Sequence, residues 1–199
     1  MLNVLARYGY SLYDVPVAGQ WLDYFADQCA FVDSLSNDVR QQLSVRLFEQ
    51  DFGWDQEQRW RERYPDLTYE SSADDLQSSL SRTRVAVSTY NGSSFLETIS
   101  MDVPTIIFWD PTRSGISERA RMVFDGLAAV GVFHPSPTSA ARHLSTIWDD
   151  VEAWWCRSEV RAACDELRHA FSRDPRDAPA RVTAELKALV SGDRSGRSI

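Results

Sequence analysis

A doubly wound α/β fold, with a mostly parallel sheet of about five strands, is the architecture this 199-residue sequence predicts. Its first signature is residues 84–109, RVAVSTYNGSSFLETISMDVPTIIFW, which read strand, polar turn, helix, strand. Parallel neighbours need a crossover of this kind, and such crossovers are right-handed. Its second is the alternation of further strand patterns with helical ones along most of the chain, which favours a parallel sheet. Composition agrees: 43% hydrophobic and 25% charged residues are ordinary for a folded soluble domain, and the length suffices for one core.

Residues 1–20 read as an extended N-terminal segment that ends in a turn around Pro16 and Gly19. From 20 to 35 the pattern is helical, with Trp21, Leu22, Phe25, Cys29, Val32 and Leu35 close to one broad face. Ser36 or Asn37 suits the cap of a short helix reaching Leu43. SVRLFE, residues 44–49, reads as the first core strand. A loop at 52–54 follows, then a helix that Pro65 ends; Asp55 and Gln58 resemble its capping box. Residues 67–70 read as a short strand and 73–80 as a polar helix.

In the central unit 84–88 is alternating and β-branched, and 89–92 is polar and turn-forming. Ser93 or Ser94 can cap a helix through Met101, and 104–109 is apolar on both faces. The strands at 44–49, 84–88 and 104–109 are expected inside the sheet. Residues 117–130 carry Ala120, Val123, Phe124 and Leu127 on one helical face, and Gly131 closes that helix. Val132 and Phe133 begin a last strand, and Pro137 opens a helix to about Asp149. One long helix with Val151, Trp154, Trp155, Val160, Cys164 and Leu167 completes the packed part. Residues 174–179 break the pattern, 180–190 form a final helix, and the tail SGDRSGRSI is expected to be disordered. The organisation expected is 1–43 as an N-terminal segment with helices from a truncated region, 44–171 as the α/β domain, and 172–199 as helix and tail.

A net charge of −8 argues against nucleic acid or an anionic membrane as the main partner. Of the 21 basic residues only Lys187 is a lysine, so no Gly-x-x-x-x-Gly-Lys phosphate loop exists. Phosphate contacts must come from arginine, hydroxyls or backbone. Three cysteines, Cys29, Cys156 and Cys164, at no metal-like spacing suggest reduced thiols. No signal-peptide core and no run of transmembrane length is present, so a cytoplasmic location is expected. No His/Cys/Asp cluster has ligand spacing, so no metal is expected. Gly-x-Ser-x-Gly and Gly-x-Gly-x-x-Gly are both missing, which removes support for a hydrolase elbow and a dinucleotide fingerprint.

The chemistry-bearing stretch is the turn. Ser88, Thr89, Tyr90, Asn91, Ser93 and Ser94 place six polar side chains within seven positions, directly after a core strand. At the carboxyl edge of a parallel sheet, against a helix N-terminus, such groups bind phosphate or sugar; they also suit a capped helix in a polar loop. Glu97 is either the capping partner of Ser94 or an acceptor for ribose or sugar hydroxyls. Arg46, mid-strand, either pairs with a carboxylate or recognises an anion. Trp54 fits packing better than base stacking, Asp110 can orient a loop or a ligand hydroxyl, and His134 ends a strand on the same sheet edge.

VRLFEQDFGWDQEQRWRERYPDL, VAVSTYNGSSFLETISMDVPTIIFWDP and GVFHPSPTSAARHLSTIWDDVEAWW together resemble a bacterial family of transferases associated with surface carbohydrate synthesis. GQWLDYFADQCAFVDSL resembles it too, so the likeness spans roughly residues 10–170. The family looks like a branch of the GT-B glycosyltransferases, and STYNGSSFLE is similar in placement to the serine-rich turn of the CDP-glycerol glycerophosphotransferases. The resemblance implies a Rossmann-like C-terminal half that binds a nucleotide-activated donor, a sugar or polyol phosphate, without metal or other cofactor. It makes Arg46, Ser88, Thr89, Tyr90, Asn91, Ser93, Ser94 and Glu97 the donor-binding set, with Trp54, Asp110 and His134 as secondary candidates. The acceptor site and general base would lie on an N-terminal half, encoded separately, and this chain alone would turn over nothing. A non-catalytic remnant of such an enzyme, and a general α/β small-molecule-binding protein, are the competing expectations.

Overall fold

A computed structural model of the chain describes residues 18–47, 51, 53–71, 75–113, 115–172 and 178–190. The extended segment expected up to residue 17, the end of the first predicted strand (48–50), the start of the predicted polar helix (73–74) and the tail (191–199) lie outside the described residues.

The described strands are short and all parallel. β1 (Ser44–Arg46) pairs with β2 (Thr68–Glu70), Val45 opposite Tyr69. β3 (Ala86–Ser88), β4 (Thr105–Phe108) and β5 (Phe133–His134) form a second sheet in the order β3-β4-β5, with Val87 opposite Ile106 and Phe108 opposite His134. The described residues thus hold five parallel strands, but these divide between two sheets, and no single doubly wound sheet of five strands forms among them. Of the three strands expected inside, only β4 has a neighbour on both sides; β1 and β3 are sheet edges. Side chains from the flanking helices, Phe31, Leu80 and Leu144 among them, line the space between those two edges.

β4 is buried throughout because both its faces are covered, and its one polar side chain, Thr105, donates to Val103 O at 2.7 Å. Phe108 stacks on Phe31 of α1 (Trp21–Asp33) at 5.1 Å between ring centroids. The next residue, Trp109, packs instead against Phe95 of α5 (Ser94–Ser100) and Phe124 of α6 (Glu118–Ala129). Helices α1 and α7 (Pro137–Ile147) thus share one face of the three-stranded sheet, and α5, α6 and α9 (Ser158–Phe171) the other. One cluster joins Cys29, Phe31, Val32 and Val39 from the N-terminal helices to Ile106, Phe108, Leu127 and Leu167.

The α1 helix departs from its predicted face. Leu22 is 57% exposed, whereas Tyr24, Gln28 and Phe31 are buried. The helix is covered on two sides, by α7 and by the loop carrying Trp54, which stacks on Trp21 at 4.7 Å. A short helix α2 (Asn37–Arg40) follows, and Ser36 holds its cap position without a side-chain bond. The capping box expected at α3 (Gln56–Arg63) is also absent. Asp55 sits at φ 52 and makes no cap bond; the Asp51 carboxylate instead accepts from the backbone N–H groups of Gly53, Trp54, Asp55 and Gln56. Burial alone would raise the Asp51 carboxyl, and these four donors together hold it below the usual range. Asp75, Ser117 and Ser136 do cap α4 (Leu76–Leu80), α6 and α7.

The expected long helix after Asp149 is two. α8 (Val151–Trp155) ends at Cys156 and α9 starts at Ser158. Both tryptophans before the break are anchored to loops of the sheet layer, Trp154 Nε1 donating to Val130 O at 3.1 Å and Trp155 Nε1 to Asp102 Oδ1 at 3.1 Å. A helix α10 (Ala178–Val190) follows, and no helix among the described residues is long and apolar enough to cross a membrane.

Gly131, after α6, adopts φ +79 with the His143 ring 2.6 Å from where a Cβ would stand, so glycine is required on both counts. His143 also faces Trp154 and His134, each at 5.2 Å between ring centroids. Burial, with His134 and Arg157 adding to it, pushes His143 down to about 4. Its folded value thus lies below its unfolded one, near 6.5, and the unfolded chain binds the extra proton between those values. Stability should be full above about pH 6.5 and fall as the pH drops toward 4, by about 1–2 kcal/mol for a partly solvated ring. His143→Phe should flatten that part of the denaturation-versus-pH curve; an unchanged slope would assign it to other groups.

Candidate functional site

The predicted polar turn leaves β3 at Ser88 and enters α5 at Ser94. Gly92 N donates to Tyr90 O at 3.0 Å, and a Cβ at Gly92 would stand 2.2 Å from the edge of the Tyr90 ring, so the ring keeps this position only beside a glycine. Ser88 Oγ and Ser94 Oγ lie 3.2 Å apart in a shared hydrogen bond. Ser93 occupies the cap position of α5 but makes no side-chain cap bond. Neither serine therefore serves as the helix cap. α5 is seven residues long, so its aligned peptide dipoles sum over only two turns.

Thr89 is tied to α1. Its Oγ1 lies 2.7 Å from Tyr24 Oη and accepts from Gln28 Nε2 at 3.0 Å, while Gln28 Nε2 also reaches Tyr24 Oη at 2.9 Å. Burial raises the Tyr24 phenol far above its usual range, so this network stays neutral. Gln28 Oε1, on a residue 5% exposed, has no partner among the described residues.

Between the β1 and β3 edges runs a cleft of about 380 Å³. Ser88, Thr89, Ser94 and Arg46 line it together, with apolar walls from α1, α4 and α7. Arg46 lies 3.9 Å from Glu70 Oε2 and donates to Ser79 Oγ at 3.3 Å. Burial would raise the Glu70 carboxyl, but the hydroxyls of Ser44 and Ser79, with Arg46 beside them, hold it down. The carboxylate partner anticipated for a strand arginine is thus present.

At the carboxyl ends of β3 and β4 lies a second cavity of about 30 Å³, lined by Thr89, Tyr90, Asn91, Trp109 and Asp110 together with Tyr24 and Gln20. Arg113 is clamped at its side. Its Nη1 donates to Asp27 Oδ2 at 2.9 Å, and its Nε lies 3.2 Å from Asp110 Oδ2. Asp110 also accepts from Thr112 N at 2.9 Å and Thr112 Oγ1 at 2.7 Å, and these donors lower its carboxyl. Asp27 is the opposite case: burial raises it more than Arg113 lowers it, and Asp110 adds to the rise.

Of the sequence candidates, Arg46, Ser88, Thr89 and Ser94 meet in the cleft, and Thr89, Tyr90, Asn91 and Asp110 meet at the second cavity. Ser93 and Glu97 are exposed and line neither; the Glu97 carboxylate has no hydrogen bond among the described residues. Trp54 packs on Trp21. His134 turns from the edge to Gly131 O, 3.0 Å from its Nε2, and burial lowers it. Tyr24, Asp27, Gln28 and Arg113 were not foreseen, because each meets the turn across 61 to 86 residues of chain or depends on such a contact. Among the described residues no group of three or more His, Cys, Asp or Glu is placed to hold a metal ion.

A family described as LIC12162 family transferase matches residues 1–186 of the chain. No curated protein and no solved structure matches it.

Proposed function

The chain belongs to the LIC12162 family of transferases, and from that premise we propose that it supplies the donor site of a two-domain, GT-B-type transferase. The donor is a nucleotide-activated sugar or polyol phosphate, transferred in surface carbohydrate synthesis. The observation that supports this reading best is the turn. Ser88, Thr89 and Ser94 gather at the carboxyl end of β3, where the 380 Å³ cleft meets the polar edge, and no helix cap accounts for them. Parallel α/β sheets bind ligands in the crevice at this edge, and a cleft of this size suits a nucleotide-sized ligand. Hydroxyls and backbone N–H groups fixed before the reaction would stabilise negative charge on the leaving phosphate. The acceptor site and general base belong to a second domain.

The isolated chain is expected to bind nucleotide weakly and to turn over nothing, since one wall of a cleft meets the ordering cost with few contacts and excludes little water. Titration with CDP- and UDP-linked compounds checks the binding, and an activity assay of these 199 residues the rest. Robust transfer by this chain alone would overturn the two-domain part. Ser94→Ala should weaken donor binding by about 1–3 kcal/mol for the lost hydrogen bond to a charged group. Only its bond to Ser88 Oγ is lost within the fold, so stability should fall by no more than about 1 kcal/mol. Glu97→Gln should weaken binding with the fold intact if the carboxylate accepts from donor hydroxyls. A pair of variants that lose stability and keep affinity would return this stretch to a structural turn.

A further inference from the structure

Two arginines stand in cavities that the polar turn lines, Arg46 in the cleft and Arg113 in the second cavity. Arg46 lies among Glu70 and Ser79 on the far sheet, with its side chain 14% exposed. Arg113 stands at the carboxyl edge of β4 with its side chain 35% exposed, beside the cavity that Thr89, Tyr90 and Asn91 line. Its two carboxylate partners come from different elements, Asp27 from α1 and Asp110 from the loop after β4. Two residues that line the cavity each carry a buried polar atom without a partner among the described residues: the indole N–H of Trp109, a residue 5% exposed, and Gln20 Oε1. A buried polar group without a partner is costly, so a site that leaves a donor and an acceptor open beside a solvent-facing guanidinium is built to receive something.

We propose that Arg113 holds the phosphate of the activated donor, and that it does so by exchanging the Asp27 carboxylate for a phosphate oxygen. The proposal rests on the donor reading above. At about 30 Å³ the cavity has room for one water and is too small for a phosphate, so the phosphate lies at its rim, where Arg113 faces solvent. Guanidinium matches phosphate oxygens in a two-bonded fork, and Asp27, 2.9 Å from Arg113, accepts from no other group among the described residues, so it is the partner a phosphate oxygen can replace. Asp110 stays in place, because Thr112 holds it through both backbone and hydroxyl. Asp27 thus competes with the ligand for one cation, and this gives the proposal a sign.

The test is titration of the full chain with pyrophosphate, CDP and UDP, for the wild type and for Arg113→Gln, Asp27→Asn and Arg46→Gln, with thermal midpoints alongside. Arg113→Gln is expected to weaken pyrophosphate and both nucleotides by about tenfold or more, and Asp27→Asn to tighten them by several-fold. A merely structural ion pair would make both variants bind worse, in step with their loss of stability, and that result overturns the proposal. Wild-type binding that Arg113→Gln leaves within about twofold, or that Arg46→Gln abolishes instead, overturns it and leaves the donor reading standing. A wild type that binds none of the three probes overturns the donor reading and the proposal with it. Should Arg113→Gln fold poorly, the sign of the Asp27→Asn effect alone decides.

Discussion

Trp109→Ala is expected to remove about 3–5 kcal/mol of stability, the range for emptying a buried aromatic position. The ring stands 4.7 Å from Phe133, 5.2 Å from Phe124 and 5.9 Å from Phe95, so its walls belong to β5, α6 and α5. Neighbours on three separate elements cannot all collapse into the vacated space, which places the cost toward the upper end of that range. Trp109→Phe should behave differently. It keeps most of the apolar contact, and the N–H it deletes has no partner among the described residues, so no hydrogen bond is lost. Its cost should stay below about 1.5 kcal/mol. Asp110 follows directly, so Trp109→Ala should also loosen the loop that orients Arg113 and weaken any ligand held there. Trp109→Phe should weaken only a ligand or water that uses the indole N–H. Chemical denaturation and pyrophosphate titration of both variants separate the two effects. Equal stability losses would mean that packing of the ring does not set the loop.

What the sequence carried about this edge was local. After Thr105, IIF runs apolar on both sides, and a strand covered on both faces suits that, so β4 was readable from its own residues. The turn after β3 was readable because Gly92 and its polar neighbours have no other common use. Which strand lies beside which is not local. Val45 and Val87 are equally good core strand residues whether their strands pair or stand apart, and nothing in either strand's own residues says that a cleft separates β1 from β3. The exchange partners of the site are likewise distant in sequence. Asp27 reads as one more polar residue on α1 until Arg113, 86 residues on, is brought to it. Glu97 shows the reverse: its spacing from Ser94 suggested a cap or a sugar contact, yet the side chain faces solvent. Spacing along a helix fixes which residues share a face, and only the fold fixes what that face meets.

At the opposite end of the sheet, Asp102→Ala should cost about 2–4 kcal/mol, for two separable reasons. Asp102 ends the turn from α5 into β4 at φ 62, where a residue with a Cβ other than Asn or Asp is strained. Its carboxylate also accepts from Trp155 Nε1 at 3.1 Å, from Arg161, and from Arg168 Nη2 at 3.4 Å, joining the turn to α8 and α9. The arginine pairs are solvent-screened, since the Asp102 side chain is 54% exposed, so the bond to the largely buried indole is the more valuable part. Stability should fall in the order Asp, Asn, Gly, Ala. Asparagine keeps the backbone preference and one acceptor, and glycine keeps only the backbone freedom. The gap between Gly and Ala, about 1 kcal/mol, measures the conformational strain. Arg161 above all, with Trp155 and Arg168, holds the Asp102 carboxyl below its usual range, against the opposing effect of burial. A depressed carboxyl contributes stability that is complete above its unfolded value, near pH 4, and lost as the pH falls through the folded one. The difference between wild type and Asp102→Asn should therefore narrow as denaturation curves are taken from pH 6 toward pH 2, because a protonated carboxyl offers little more than an amide. A difference that persists undiminished at the acid end would show that the charge on Asp102 contributes nothing, and would leave the bond to Trp155 as the whole of its role.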